Sequence, residues 1–343
     1  MKSWFTGLAL CAPLAFGVTF VALPGAAHAA DTSGKRIAMS NNYAGNTWRQ
    51  AMLASFDKAA KQAVDSKIIK EARSFTTAEN QATEQAAQIQ NLVLEGYDAI
   101  LVNASSPTAL NGAIKQACDA GIVVVVFDSS VTEPCATIVG VDFRRMGQMQ
   151  VEYMAGRGLK GNLLEVRGLP GSFVDEEIHQ GITAGLKEHP EFQVVSSVHG
   201  NWTQSVAQKE VASVLPTLPP IAAVVTQGGD GYGTAQAFAA AGRPITPIFM
   251  GNREDELAWW KQQSASGYQT KSAAISPGCS TFALWVAQLI LSGETVPKSF
   301  TLPIAVVDQA GLDDALKLTP KGGVTTIEYS LQDVKDFIAK QKG

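Results

Sequence analysis

The feature that most limits the fold of this chain is the run Ile122-Val123-Val124-Val125-Val126-Phe127, ended abruptly by Asp128. An apolar run with no polar alternation belongs to a strand buried on both faces, the habit of a parallel sheet. Its surroundings agree. Asp98-Ala99-Ile100-Leu101-Val102 reads as a second such strand. Between the two, Leu110, Ile114 and Ala117 recur at helical spacing, with Ser106-Pro107 as a start signal and Gly121 as a stop. Parallel strands need a crossover, so the unit is strand–helix–strand.

The same alternation fills the chain. Upstream lie a strand at 36–39, a polar loop at 41–46 and a helix carrying Trp48, Met52, Phe56 and Ala59. A strand at 67–73 and a helix opened by Thr77-Ala78-Glu79-Asn80 follow. Past Asp142, strands are expected at 162–166, 192–196, 221–226, 245–250, 268–275 and 302–307. Helices are expected at 174–186, 204–215, 234–241, 254–261 and 281–291, and Val334, Phe337 and Ile338 predict a closing helix. Some ten strands are many for one sheet, and 343 residues exceed one ordinary domain. The expected fold class is therefore α/β, with two similar lobes built on parallel sheets.

Composition narrows function. With 46% hydrophobic and 17% charged residues the chain can build a core, which excludes disorder as its main state. Lys and Arg total 27 against 31 Asp and Glu, which argues against a nucleic-acid partner. Lys2, the apolar stretch 4–23 and Ala27-His28-Ala29 read as a signal peptide over 1–29, cut near Ala29/Ala30. Leu8-Ala9-Leu10-Cys11 is a poor lipidation box, because Leu10 stands where a small residue is wanted. The mature chain is expected to be exported and soluble in the periplasm. It would keep Cys118, Cys135 and Cys279. Cys118 closes a helix and Cys135 lies in the loop past the next strand, so a Cys118–Cys135 disulfide is expected, with three buried thiols as the alternative. Neither a metal nor a cofactor is expected: no zinc spacing, Walker loop or Gly-x-Gly-x-x-Gly after the first strand is present.

The strand ends share a chemical habit. Asn41, Asn42, Asn103, Asp128, Gln227, Asp230 and Asn252 all sit just past carboxyl ends, where open α/β sheets bind ligands, and Asn46, at the end of the first polar loop, joins the ligand candidates. Amides and carboxylates suit hydroxyls, and indoles suit the C–H faces of sugars. Trp48 and Trp202 supply one indole per lobe, each just past a strand. Asp175 and Glu176, at a helix start, complete the candidate ligand set. Each residue has a plainer role open to it: capping for Asp128, Asp230 and Asn252, dipole compensation for Asp175 and Glu176, packing for the indoles. A hydrolase using Asp128 and Glu176 as its acid pair is the enzymatic alternative.

With these motifs the chain resembles the periplasmic sugar-binding proteins of bacterial ABC transporters, the type I family of ribose and galactose binders, from about Lys35 to about Gly293. The resemblance rests on 98–104 with Pro107, 120–128, Gly168-Leu169-Pro170-Gly171-Ser172, Val225-Thr226-Gln227-Gly228-Gly229-Asp230 and Met250-Gly251-Asn252. It implies a first lobe of 35–141 plus 277–300, a second of 142–276 plus 301–343, and three hinge crossovers. By the family's pattern Asn42, Trp48, Asp128, Trp202 and Asp230 would face the ligand. The pattern's arginines fall on Ser129 and on Glu176 or Asp175, and its hinge-edge Gln on Ser276. That implies a cleft more acidic than usual, suited to a polyol, an unusual pentose, an amino sugar or a cation. The implied function is capture of a small sugar or polyol for an ABC permease at the inner membrane, by a monomer. A chemoreceptor is the alternative partner.

Overall fold

The computed structural model describes Met1, residues 30–79 and residues 81–342. Positions 2–29 of the expected signal segment, Cys11 among them, and Asn80 lie outside the described residues.

The chain begins as a regular alternation: β1 (Arg36–Asn41), α1 (Thr47–Asp65), β2 (Glu71–Thr76), α2 (Ala82–Leu94), β3 (Ala99–Asn103), α3 (Asn111–Asp119), β4 (Val123–Phe127) and β5 (Thr137–Val141). It continues with α4 (Phe143–Gly156), β6 (Gly161–Arg167), α5 (Phe173–Glu188), β7 (Phe192–His199), α6 (Gln204–Val214), β8 (Ala223–Thr226), α7 (Gly231–Ala240), α8 (Glu254–Ser264) and β9 (Ser272–Ala274). The chain closes with α9 (Cys279–Leu291), β10 (Ser299–Leu302), β11 (Ala305–Val307), α10 (Leu312–Leu318) and α11 (Leu331–Lys342).

The first lobe is a six-stranded, all-parallel sheet in the order β10-β5-β4-β3-β1-β2. Residues 99–103 of β3 are buried throughout, as a strand covered by helices on both faces must be. In α1, Asn46 caps the first turn by accepting from the Arg49 N–H at 2.8 Å. Met52, Phe56, Ala59 and Ala63 then bury one face at helical spacing. The second lobe carries the parallel strands β7-β6-β8. Residues 248–250 extend it, bridging Val224 on one side and Ser272 on the other, and the antiparallel pair β9–β11 closes its edge. The expected two-lobed α/β architecture is present.

Several boundaries differ from expectation. The strand expected at 67–73 begins at Glu71, because Lys67 adopts a left-handed turn (φ 56°) and Ile69 is spent on packing. Ser106 Oγ caps a preceding turn at Ala109 N rather than α3, which starts only at Asn111. The strand expected at 302–307 is two strands in different lobes, split around Pro303. β5, α4 and α10 were not anticipated.

The chain passes between lobes after β5, after β9 and between β10 and β11. A fourth passage follows α10. Val324 pairs with Arg253 in the second lobe, and the Thr325 N–H donates to the Asn252 carbonyl at 3.0 Å. The Ile327 N–H then reaches Ser276 Oγ at 2.7 Å, and the Tyr329 N–H reaches Thr281 Oγ1 at 3.0 Å in the first lobe. This differs from the expected grouping of 301–343 with the second lobe. α11 lies against the first lobe, with Val334 and Ile338 in its core and Phe337 edge-on to Phe282.

Cys118 and Cys135 form a disulfide, with 6.4 Å between their Cα atoms, and Cys279 is a buried free thiol. The pair meets because α3 ends beside the loop that joins the neighbouring strands β4 and β5. Thiol counting on the denatured, unreduced mature chain should find one free thiol. Replacing both bridged cysteines by serine should cost about 3 kcal/mol in a denaturant melt, the closure entropy of a loop of this length. Three titratable thiols would contradict the bridge.

Candidate ligand-binding cleft

The carboxyl ends of both sheets open onto one cleft with about 560 Å³ of empty space, open solvent at its mouth included. The first lobe gives it Asn46, Trp48, Arg49 and Asp128. The second gives Trp202, Gln227, Gly228, Gly229, Asn252 and Arg253. Phe143, Met146, Val174, Ala274 and Ile275 line the rest.

Asp128 ends β4 in a left-handed conformation (φ 63°) that turns its carboxylate toward the cleft. Asn103 Nδ2 donates to Oδ2 at 3.0 Å, and Arg49 Nη1 pairs with the same oxygen at 3.2 Å. Oδ1 is left without a protein partner among the described residues. Burial pushes the Asp128 carboxyl above its ordinary value, and Arg49 pulls it partly back. Arg49 also lies 5.3 Å from the Trp48 ring centroid, and Trp48 Nε1 donates to the Ile275 carbonyl at 2.9 Å. The first-lobe pole is thus an indole, a guanidinium and a half-committed carboxylate, all braced.

Across the cleft, Asn201 and Trp202 hold consecutive left-handed conformations (φ 55° and 53°). The indole lies on Gly168, where a Cβ would fall 2.2 Å from the ring, so only glycine fits. Arg253 Nη2 donates to the Trp202 carbonyl at 2.6 Å and Nη1 to the Gly229 carbonyl at 2.9 Å. Asn252 Nδ2 donates to the Thr325 carbonyl at 3.1 Å. The Glu256 carboxylate accepts from the N–H groups of Gly231 and Gly251, both at 3.0 Å, and so fixes both turns.

Of the expected ligand residues, Asn46, Trp48, Asp128, Trp202, Gln227 and Asn252 meet at the cleft. The others do not line it. Asn42 donates to the Ala104 carbonyl and ties two loops together. Asn103 is fully buried and serves Asp128. Asp175 is buried against Arg167, at 2.7 and 3.1 Å, and Glu176 points outward to Gln180 and Arg167. Gln227 lines the cleft with its amide already spent: Oε1 accepts from Gly168, and Nε2 donates to Asp175 O and Oδ1.

The expected acidic cleft is corrected by the same geometry. Its lining holds one carboxylate, Asp128, and two guanidiniums, Arg49 and Arg253. Neither arginine was foreseen. Arg49 was hidden in the helix that Trp48 opens, and Arg253 in a helix start. Arg49 is buried in the first turn of α1, with its guanidinium against Asp128 at the strand ends.

Asp230 is fully buried behind the Trp202 turn and Arg253. Neither of its oxygens has a hydrogen-bond partner of normal geometry. Burial drives its pKa well above the ordinary carboxylate value; Arg253 opposes the rise and Glu256 adds to it. The Thr203 N–H, already donating to Gly200 at 2.9 Å, helps little.

Residues 37–295 match the family profile of the periplasmic binding protein domain. A solved ABC transporter solute binding protein from Thermobispora bispora DSM 43833 is 36% identical, with a TM-score of 0.85 over 90% of this chain and 96% of that one. The ribose import binding protein RbsB of Bacillus subtilis (strain 168) is 25% identical over 235 residues, 68% of this chain and 75% of its own length. A xylitol-binding protein of Mycolicibacterium smegmatis is 26% identical over 248 residues, 71% of this chain and 70% of its own length. The chain belongs to the periplasmic binding protein family, whose members are binding proteins and not enzymes.

A carboxyl with a raised folded pKa binds its proton more tightly in the folded state than in the unfolded one. Its contribution to stability is therefore lost as pH rises from the unfolded value, about 4, toward the folded one. Asp230 by itself therefore lowers the stability of the ligand-free protein at pH 7 relative to pH 4. Asp230→Asn should raise stability at pH 7 by about 1 kcal/mol or more, the scale of an unsatisfied buried polar group, and change it little near pH 4. Melting curves across this range check it. A lower melting point for the variant at pH 7 would mean that the charge is compensated by Arg253.

Proposed function

We propose that this chain captures a small, neutral sugar or polyol in the periplasm and, as a monomer, delivers it to an ABC importer at the inner membrane. The observation that carries this reading is the pairing of poles across the cleft. Asp128 and Arg49 from one lobe face Asn252 and Arg253 from the other, with an indole on each side. A polyol ring offers both hydroxyls for such groups and a C–H face for the indoles. Neutrality follows from the charges. Asp128 and Arg49 offset each other, and Arg253 is spent on two backbone carbonyls beside Glu256. The relatives named for ribose import and for xylitol support the ligand class.

A thermal-shift screen over pentoses, hexoses and polyols finds the ligand, because binding to the folded state alone raises the melting temperature. Titration calorimetry of Asp128→Asn and Trp202→Ala should then show affinity weakened roughly tenfold or more for each, the scale of a lost charged hydrogen bond or central aromatic. Near-native affinity in both folded variants would remove the site. Loss of uptake of that sugar on deletion of the gene supports import; intact uptake with lost taxis would favour a sensor.

A further inference from the structure

A second cavity adjoins the cleft at Asp128 and Phe143, and the sugar-binding reading leaves it without a role. Its empty space is about 590 Å³, comparable to the cleft's own, both taken with open solvent at the mouth. The sheet explains where it lies. α9 covers one face of β3, β4 and β5; on the other face α2 packs on β1 and α3 on β4. The edge beyond them, β5 and β10, lines the cavity. Ile138 pairs with Ser299 and Gly140 with Thr301, so these four residues share one face of that edge. A Cβ on Gly140 would meet no atom within 4 Å. From the second lobe, Phe143 and Phe173 open α4 and α5 against the cavity, edge-to-face at 6.4 Å.

The lining suits hydroxyls. The side chains of Ser130, Ser299 and Thr301 have no hydrogen-bond partner among the described residues. Asp142 accepts from the Arg145 N–H through Oδ1 and keeps Oδ2 free. Phe173, half-buried, adds ring surface for a C–H face. Among the described residues no lysine or arginine lines the cavity, whereas Asp128 and Asp142 do, so an anion would enter without a partner charge. Asp128 belongs to both spaces. Asn103 and Arg49 hold its Oδ2, and Oδ1 is open. A ring bonded to Asp128 in the cleft therefore stands at the border of the second space.

We propose that the second cavity is a subsite for a further neutral, hydroxylated unit, so that the ligand is a disaccharide or a glycosyl polyol. One ring stays between the indoles and bonds Asp128. The linked unit lies among Ser130, Asp142, Ser299 and Thr301, beside Phe173. This rests on the sugar-binding reading and extends it.

The test is calorimetric titration of single rings against their disaccharides: glucose against maltose, cellobiose and trehalose, galactose against lactose and melibiose, xylose against xylobiose, and arabinose against arabinobiose. At least one disaccharide should bind roughly tenfold or more tightly than its own monosaccharide, the scale of two added neutral hydrogen bonds. A panel in which no disaccharide binds more tightly than its monosaccharide overturns the proposal and leaves the sugar-binding reading standing. Binding of none of these sugars, nor of any other sugar or polyol, overturns both. Gly140→Leu fills the second cavity from a position outside the cleft. It should abolish the disaccharide's gain and leave the affinity for the single ring within about twofold. Thr301→Val removes one hydroxyl at almost constant shape and should cut the gain at least about threefold. Ligand-free melting curves report which variants are folded. An unchanged gain in a folded variant of either kind would overturn the subsite.

Discussion

Parallel pairing is the constraint from which the rest of this molecule follows. Parallel strands cannot be joined by tight turns, so every connection returns across a face of the sheet as a helix. All the carboxyl ends of one sheet therefore point to the same edge. In the first lobe that edge carries Asn41, Asn103 and Asp128; in the second it carries His199, Thr226 and the 250–253 turn. Chain passages between the lobes bring the two edges face to face. The cleft is the meeting of two sheet edges, and its chemistry is that of loops held by rigid strands.

Charge at those edges is braced before any ligand arrives. Asn103, itself buried in β3, fixes the carboxylate of Asp128 in the neighbouring strand's turn. Asn46 caps α1 at the Arg49 N–H, and the Arg49 guanidinium pairs with the same carboxylate. On the opposite edge Glu256 ties the 231 and 251 turns together, while Arg253 holds the carbonyl of Trp202. Such preorganisation lowers the ordering cost of binding. The strap after α10 adds to it, since Thr325 accepts the Asn252 side-chain amide through its carbonyl and donates its own N–H to the Asn252 carbonyl. The part of the chain beyond the matched residues 37–295 thus reaches back to the site.

Much of this was legible in the sequence because burial on two faces writes an unambiguous pattern. The run at 122–127 and the strand at 98–102 could belong only to a covered parallel sheet, and Asp128 and Trp202 stood out as a polar or aromatic break in strong patterns. β5 and α4 were illegible for the opposite reason. Thr137–Val141 is short and interrupted by Gly140, and the buried face of α4 carries Gly147 and Gln150 among its apolar residues. In the site, sequence position told which residues lie at strand ends but not which way they point. Asp230 and Asn103 lie at such ends and Asp175 at a helix start, yet all three face inward, where the Trp202 turn, Asp128 and Arg167 meet them. The arginines of the cleft were missed because a helix-start arginine looks the same in sequence whether it faces water or a carboxylate.

The most direct test of the two-edge account is a crystal structure of the chain grown with the sugar or polyol that stabilises it most. The account predicts a single ring between the indoles of Trp48 and Trp202, with a hydroxyl donating to Asp128 Oδ1 and another within hydrogen-bond reach of Asn252. A ligand bound elsewhere, or one that displaces Trp202 to reach Asp230 while leaving Asp128 untouched, would contradict it.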